Sequence, residues 1–167
     1  MNRNTRRVAA LVITSLLVFG VAGSADAGGR SWTSNQVSID VQSRFDSTSG
    51  TFTAQGAGLC VSGTTTTDSV SVSVDGRRLV FDVRVTFTCA DASGTWAVHI
   101  VAAVEPCDAF DYGTWDVTGG TGAYRRLRAT GQLVGTYMLG SSALTDSCSA
   151  DGIVDHYRGA ARSAADR

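Results

Sequence analysis

Glu105, His99, His156 and four cysteines are the side chains best suited to chemistry in this 167-residue chain. Glu105 is the only glutamate, and it stands beside Pro106 and Cys107. A carboxylate in an apolar mouth has a raised pKa and can move protons, so Glu105 is the candidate catalytic residue. The competing reading is an exposed turn residue, because glutamates are mostly exposed. His99 lies between Val98 and Ile100, on the face opposite Trp96, and faces solvent if Trp96 faces a core. His156 adjoins Asp155, but neighbouring strand residues point to opposite faces and form no automatic pair. No G-x-S-x-G motif or other nucleophile signature is present. No C-x-x-C pair exists, and both histidines are far in sequence from any cysteine, so no structural zinc site is expected. Asp146 and Asp151 flank Cys148 without matching a calcium loop. Neither a metal nor a cofactor is expected.

The densest local motif is Thr118-Gly119-Gly120-Thr121-Gly122-Ala123-Tyr124. A dinucleotide loop would need a strand–helix–strand unit around it, and a P-loop would need a lysine; the chain has neither. The glycines read better as a tight turn, with Tyr124 tucked against the end of a sheet. Arg125, Arg126 and Arg128 follow and could form an anion-binding spot. A solvated turn is the simpler reading of the same run.

The elements that would position these residues follow from the export signal and the periodicity. Residues 1–27 read as a secretory signal peptide. Arg3, Arg6 and Arg7 precede an apolar run, and Ala25-Asp26-Ala27 is an A-x-A cleavage site. The run is shorter than the roughly 20 residues of a spanning helix, so no membrane association is expected after cleavage. Ala9 and Ala10 occupy positions where a twin-arginine signal carries large apolar residues, which favours the general secretory route. The expected location is extracellular. An even number of cysteines in an exported chain implies disulfides. With 43% hydrophobic and 17% charged residues, the chain does not have a disordered composition. A net charge of −1 excludes the broad cationic field that nucleic-acid partners require.

Period-two alternation dominates the rest. Val70, Val72 and Val74 alternate with serines. Leu79, Phe81, Val83, Val85 and Phe87 share one face, and Trp96, Val98, Ile100, Ala102 and Val104 another. The pattern predicts eight strands, at 32–42, 51–57, 64–74, 79–89, 95–104, 111–118, 129–139 and 152–158. Asp75-Gly76 marks a hairpin, Ser49-Gly50 and Gly119-Gly120 mark turns, and Ala123 to Arg128 could form a helical turn. The fold class is all-β. Sequential strands with short links predict one eight-stranded antiparallel up-and-down barrel over 28–159, with 160–167 as a flexible tail. A two-sheet sandwich is the alternative, and would need longer crossing connections. In the barrel, Cys60 and Cys89 fall at one end, and Cys107 and Cys148 at the other. Disulfide Cα atoms approach within about 7 Å. Only Cys60–Cys89 plus Cys107–Cys148 avoids bridging opposite ends.

Gly113-Thr114-Trp115 and the Gly119-to-Tyr124 turn, with Leu127-Arg128 and Gly131, resemble the G-G-T-G-x-F/Y signature of allene oxide cyclase-like and dirigent-like barrels. Gly50-Thr51-Phe52-Thr53-Ala54, and Thr86-Phe87-Thr88-Cys89 followed by Gly94-Thr95-Trp96, are similar to small secreted actinobacterial proteins of that superfamily. The resemblance spans residues 45–158. It implies an eight-stranded barrel, often with a central cavity, and in some members cyclisation or stereochemical guidance of apolar substrates. No catalytic constellation carries over residue by residue.

The reading that follows is a binding or scaffold module whose partner is a small apolar ligand in the barrel. The residues expected to line it are Phe81, Phe87, Trp96, Trp115 and Tyr137. A cofactor-free cyclase or isomerase is the alternative, as is an extracellular protein-interaction module. A binder requires a cavity of about 300 Å³ or more. An enzyme also requires a polar group pointing into it, and a scaffold requires a filled interior.

Overall fold

The computed structural model describes residues 32–56, 58–140 and 143–164. The leader at 1–27, and with it the cleavage site, lies outside the described residues. Among the described residues, alternating apolar positions fold as nine strands: β1 (Trp32–Arg44), β2 (Ser49–Gln55), β3 (Ser62–Asp75), β4 (Arg78–Cys89), β5 (Thr95–Val104), β6 (Phe110–Gly120), β7 (Arg128–Leu139), β8 (Ala143–Leu144) and β9 (Gly152–Ala164). β1 to β7 pair consecutively, all antiparallel, and β9 joins β7 to β1. The result is a closed eight-stranded up-and-down barrel. β8 is an extra two-residue strand, paired only with the end of β7. No helix among the described residues is long and apolar enough to cross a membrane.

The β3–β4 hairpin turns through Gly76-Arg77, with Asp75 opposite Arg78. Gly76 has φ +62°, which side chains rarely adopt, so the glycine here is a backbone requirement. Other glycine pairs behave differently from the turns expected of them. Ser49-Gly50 begins β2, and Gly119-Gly120 ends β6 opposite Ala97 and Trp96. The helical turn expected at 123–128 is a 3₁₀ turn at Gly122–Tyr124.

The tail expected at 160–167 is corrected for residues 160–164, and residues 165–167 lie outside the described residues. β9 continues through Ala160 to Ala164, paired with β1 as far as Trp32 and with β7 as far as Arg128. The segment has no apolar alternation, but main-chain hydrogen bonds to two neighbours hold it. Ala161 is buried. The barrel therefore extends to residue 164.

The two ends differ. At one end, the β2–β3, β4–β5 and β6–β7 connections meet, and Cys60–Cys89 joins the β2–β3 connection to the last residue of β4 with Cα atoms 5.9 Å apart. At the other, Cys107–Cys148 ties the β5–β6 connection to the segment before β9 with Cα atoms 4.8 Å apart. Both pairings are the ones the strand order requires. Large rings fill the first end. Phe87 stacks on Trp96 at 5.2 Å, Phe52 meets both edge-on, and Tyr124 lies 4.9 Å from Trp96. Burial of such rings supplies much of the apolar stabilisation, at about 25 cal/mol per Å². The second end is not filled in this way.

Candidate functional site

The half of the barrel beyond the aromatic cluster encloses a cavity of about 550 Å³. This is the size range of small-molecule sites. It opens between the β1–β2 turn and the loops joined by Cys107–Cys148, where Arg44, Phe45, Ser47 and Pro106 form the rim. One wall is apolar: Leu79, Phe81, Val83 and Val85 of β4, with Ile100, Ala102 and Val104 of β5. The interior is hollow here because the register sets Phe81 opposite Ala102, whereas Phe87 is opposite Trp96 at the filled level.

The other wall carries charge. Asp111 of β6 pairs with Gly135 of β7, and Gly135 pairs with Asp155 of β9. Two carboxylates thus flank one glycine across three adjacent strands, and both border the cavity. Gly135 is needed for this arrangement. A Cβ there would overlap Asp111 Oδ1 and come within 2.7 Å of Ile153 Cδ1. Tyr137 is two residues along β7, on the same face. Its hydroxyl donates to Asp111 Oδ2 over 3.5 Å, a long and weak hydrogen bond. Asp111 is 5% exposed, and its Oδ1 has no hydrogen-bond partner of acceptable geometry. Leaving such an acceptor unsatisfied costs about 1–3 kcal/mol.

The enclosure governs the protonation of these groups. Burial, then the charge of Asp111, pushes the Asp155 carboxyl up to about 8. Burial also raises Asp111, with the Gly135 amide and the Tyr137 hydroxyl moderating the rise. Burial and the charges of the two aspartates raise Tyr137, and the same causes raise Tyr157. The pair titrates as a unit: whichever carboxyl ionises second does so against the charge of the first. A carboxylic acid that loses its proton near neutral pH can donate or accept a proton, or answer a cation.

The residues named from sequence separate into three groups. Phe81 and Tyr137 border the cavity. Phe87, Trp96 and Trp115 do not: they are fully buried in the packed core, with Trp115 against Tyr157 at 5.8 Å. Glu105 lies outside the cavity wall. It is exposed and ion-paired with Arg78 at 3.8 Å, so the apolar surroundings expected for it are absent. Asp111 and Asp155 were missed. The signal was present in the alternation, since Asp111 shares a face with Trp115 and Asp155 shares one with Ile153 and Tyr157.

The histidines belong to the outer surface. His99 lies between Asp82 at 3.1 Å and Asp116 at 3.5 Å. His156 meets Asp40, its cross-strand neighbour on β1, at 2.8 Å, and Arg158 also reaches Asp40 at 3.1 Å. Burial alone would raise the Asp40 carboxyl, but the hydrogen bonds from His156 and Arg158 outweigh it and leave the pKa lowered. Arg125, Arg126 and Arg128 are exposed around buried Leu127, and Arg128 donates to the Leu127 carbonyl at 2.9 Å. At the mouth, Asp146 accepts from the Cys148 and Ser149 amides at 2.9 Å each, and Asp151 holds Arg44 at 3.0 Å. Asp146 also lies near both sulfurs of Cys107–Cys148, but sulfurs joined in a disulfide are not thiolate ligands.

Fold and site together define a disulfide-stapled antiparallel barrel, packed at one end and hollow at the other. Comparison with protein-family models, with curated proteins and with solved structures gave no match.

Proposed function

We propose that this protein binds a small, mainly apolar molecule inside the hollow half of the barrel, outside the cell. The observation that carries the reading is the cavity of about 550 Å³ with its wall of Val, Leu, Ile and Phe side chains. Burying a ligand there removes apolar surface from water on both partners, at about 25 cal/mol per Å². Phe81 and Tyr137 are the aromatic contacts. Two disulfides and the signal-like leader support an exported protein, and disulfides persist in oxidising compartments. The likeness of the Gly119-to-Tyr124 turn to allene oxide cyclase-like barrels is part of the same proposal. A pure scaffold is disfavoured, because a filled interior would serve it better.

Titration with the neutral dye N-phenyl-1-naphthylamine tests this reading. Its fluorescence should rise and saturate at one dye per chain. Val83→Trp, which puts an indole into the cavity, should abolish the rise while the fold is retained. An unchanged titration in the variant would place the dye elsewhere and overturn the reading.

A second reading, a cofactor-free cyclase or isomerase, is favoured by one observation: ionisable carboxyls border the cavity. Asp155 would then be the proton-transferring group, in place of Glu105.

A further inference from the structure

We propose that the occupant of the cavity is an apolar molecule carrying one protonated amine, with its ammonium between Asp111 and Asp155 and its apolar body against β4 and β5. The inference rests on reading the cavity as a ligand site, and it names the class of ligand. Its support is geometric. Asp111 and Asp155 face each other across Gly135, which contributes no side chain. Asp111 is almost wholly buried, and its Oδ1 has no hydrogen bond of acceptable geometry, although the Gly135 amide lies close to the carboxylate. A neutral hydrocarbon would leave that oxygen unsatisfied. An ammonium has three donors and no acceptor, so it can serve Asp111, Asp155 and the Tyr137 phenol oxygen together.

Charge points the same way. The other titratable groups on the described cavity wall are Arg44, Tyr137 and Tyr157. Arg44 is at the rim and already engaged by Asp151 at 3.0 Å and Asp46 at 3.5 Å. Among the described wall residues Arg44 is the one cation, and its ion pairs go to Asp46 and Asp151 rather than to Asp111 or Asp155. An anionic ligand would meet them as like charges, and a cationic one would restore their charged forms. Because burial keeps Asp155 largely protonated at neutral pH, binding an ammonium there should expel a proton.

The test is calorimetry on the disulfide-bonded protein with three probes of equal length: octylamine, octan-1-ol and octanoate. At pH 7, octylamine should bind at least tenfold more tightly than octan-1-ol, with octanoate weakest. The preference should fall several-fold at pH 4, where Asp155 is protonated and the amine remains charged. Octylamine binding at pH 7 should release a proton, read from its dependence on buffer ionisation enthalpy. An Asp111→Asn/Asp155→Asn protein should bind octan-1-ol and lose the preference for octylamine. The pH comparison stands on the unsubstituted protein, whether or not that variant folds. Equal affinity for octylamine and octan-1-ol at pH 7 would overturn the inference and leave the apolar site intact. Tighter octanoate binding, or a preference undiminished at pH 4, would also overturn it. Failure of all three probes would overturn the cavity reading as well.

Discussion

At the scale of the residue, Asp155 connects the cavity to pH. Its folded pKa of about 8 is above the ordinary value of 3.8. The folded state therefore binds more protons than the unfolded chain between those limits. Stability is fully present below pH 4, falls as pH rises, and levels off above pH 8. Each unit corresponds to about 1.4 kcal/mol, and water entering from the mouth reduces the total. Asp155→Asn removes the titration. We expect urea denaturation to show the variant about 2–4 kcal/mol more stable than the parent at pH 9, and within about 1 kcal/mol of it at pH 4. A variant less stable at both values would mean that the Asp155 carboxylate is a structural acceptor. Alternation assigned side chains to faces, and both cavity aspartates sat on the inward face. Alternation does not tell that a carboxylate on that face stays buried, because carboxylates so rarely are.

At the scale of the element, alternation determined nearly every strand, and its limits are as instructive. Phe81 and Phe87 share a strand and a face, yet one borders a cavity and the other is packed. The difference is in the partner strand: Ala102 lies opposite Phe81, and Trp96 opposite Phe87. Periodicity within one strand contains no such information. Residues 160–164 show the converse failure. They have no apolar pattern, and are ordered by main-chain pairing to β1 and β7. Truncation after Gly159 should therefore destabilise the barrel by roughly 2–4 kcal/mol, through lost main-chain hydrogen bonds and the loss of buried Ala161. A truncated chain with an unchanged urea midpoint would show these residues to be dispensable. The β3–β4 hairpin marks a further limit. β2 pairs with β3 only as far as Thr66, so Val70, Val72 and Val74 alternate as a core strand would and yet remain exposed.

At the scale of the whole molecule, the two disulfides have separate duties. The cysteine pairing was legible because only one connectivity fits a strand order with two distinct ends. What was not legible is that one end is solid and the other open. Each bridge is expected to contribute about 2–4 kcal/mol. Cys148 and Pro106 border the cavity, whereas Cys60 and Cys89 do not. Replacing Cys107 and Cys148 with alanine should lower both stability and ligand affinity. Replacing Cys60 and Cys89 should lower stability by a similar amount and leave affinity within about twofold. Denaturation and dye titration of the two double variants would check this division, and equal losses of affinity would refute it.

The most direct test of the central claim is methyl NMR of the protein titrated with octan-1-ol. A ligand in the hollow half should shift the Val83, Val85, Ala102 and Ile153 methyls, which border the cavity, and leave buried Val37 and Ala129 at the far end unmoved. Shifts confined to exposed Val61, Val72 and Val74, or no saturable shift at all, would contradict an interior binding site.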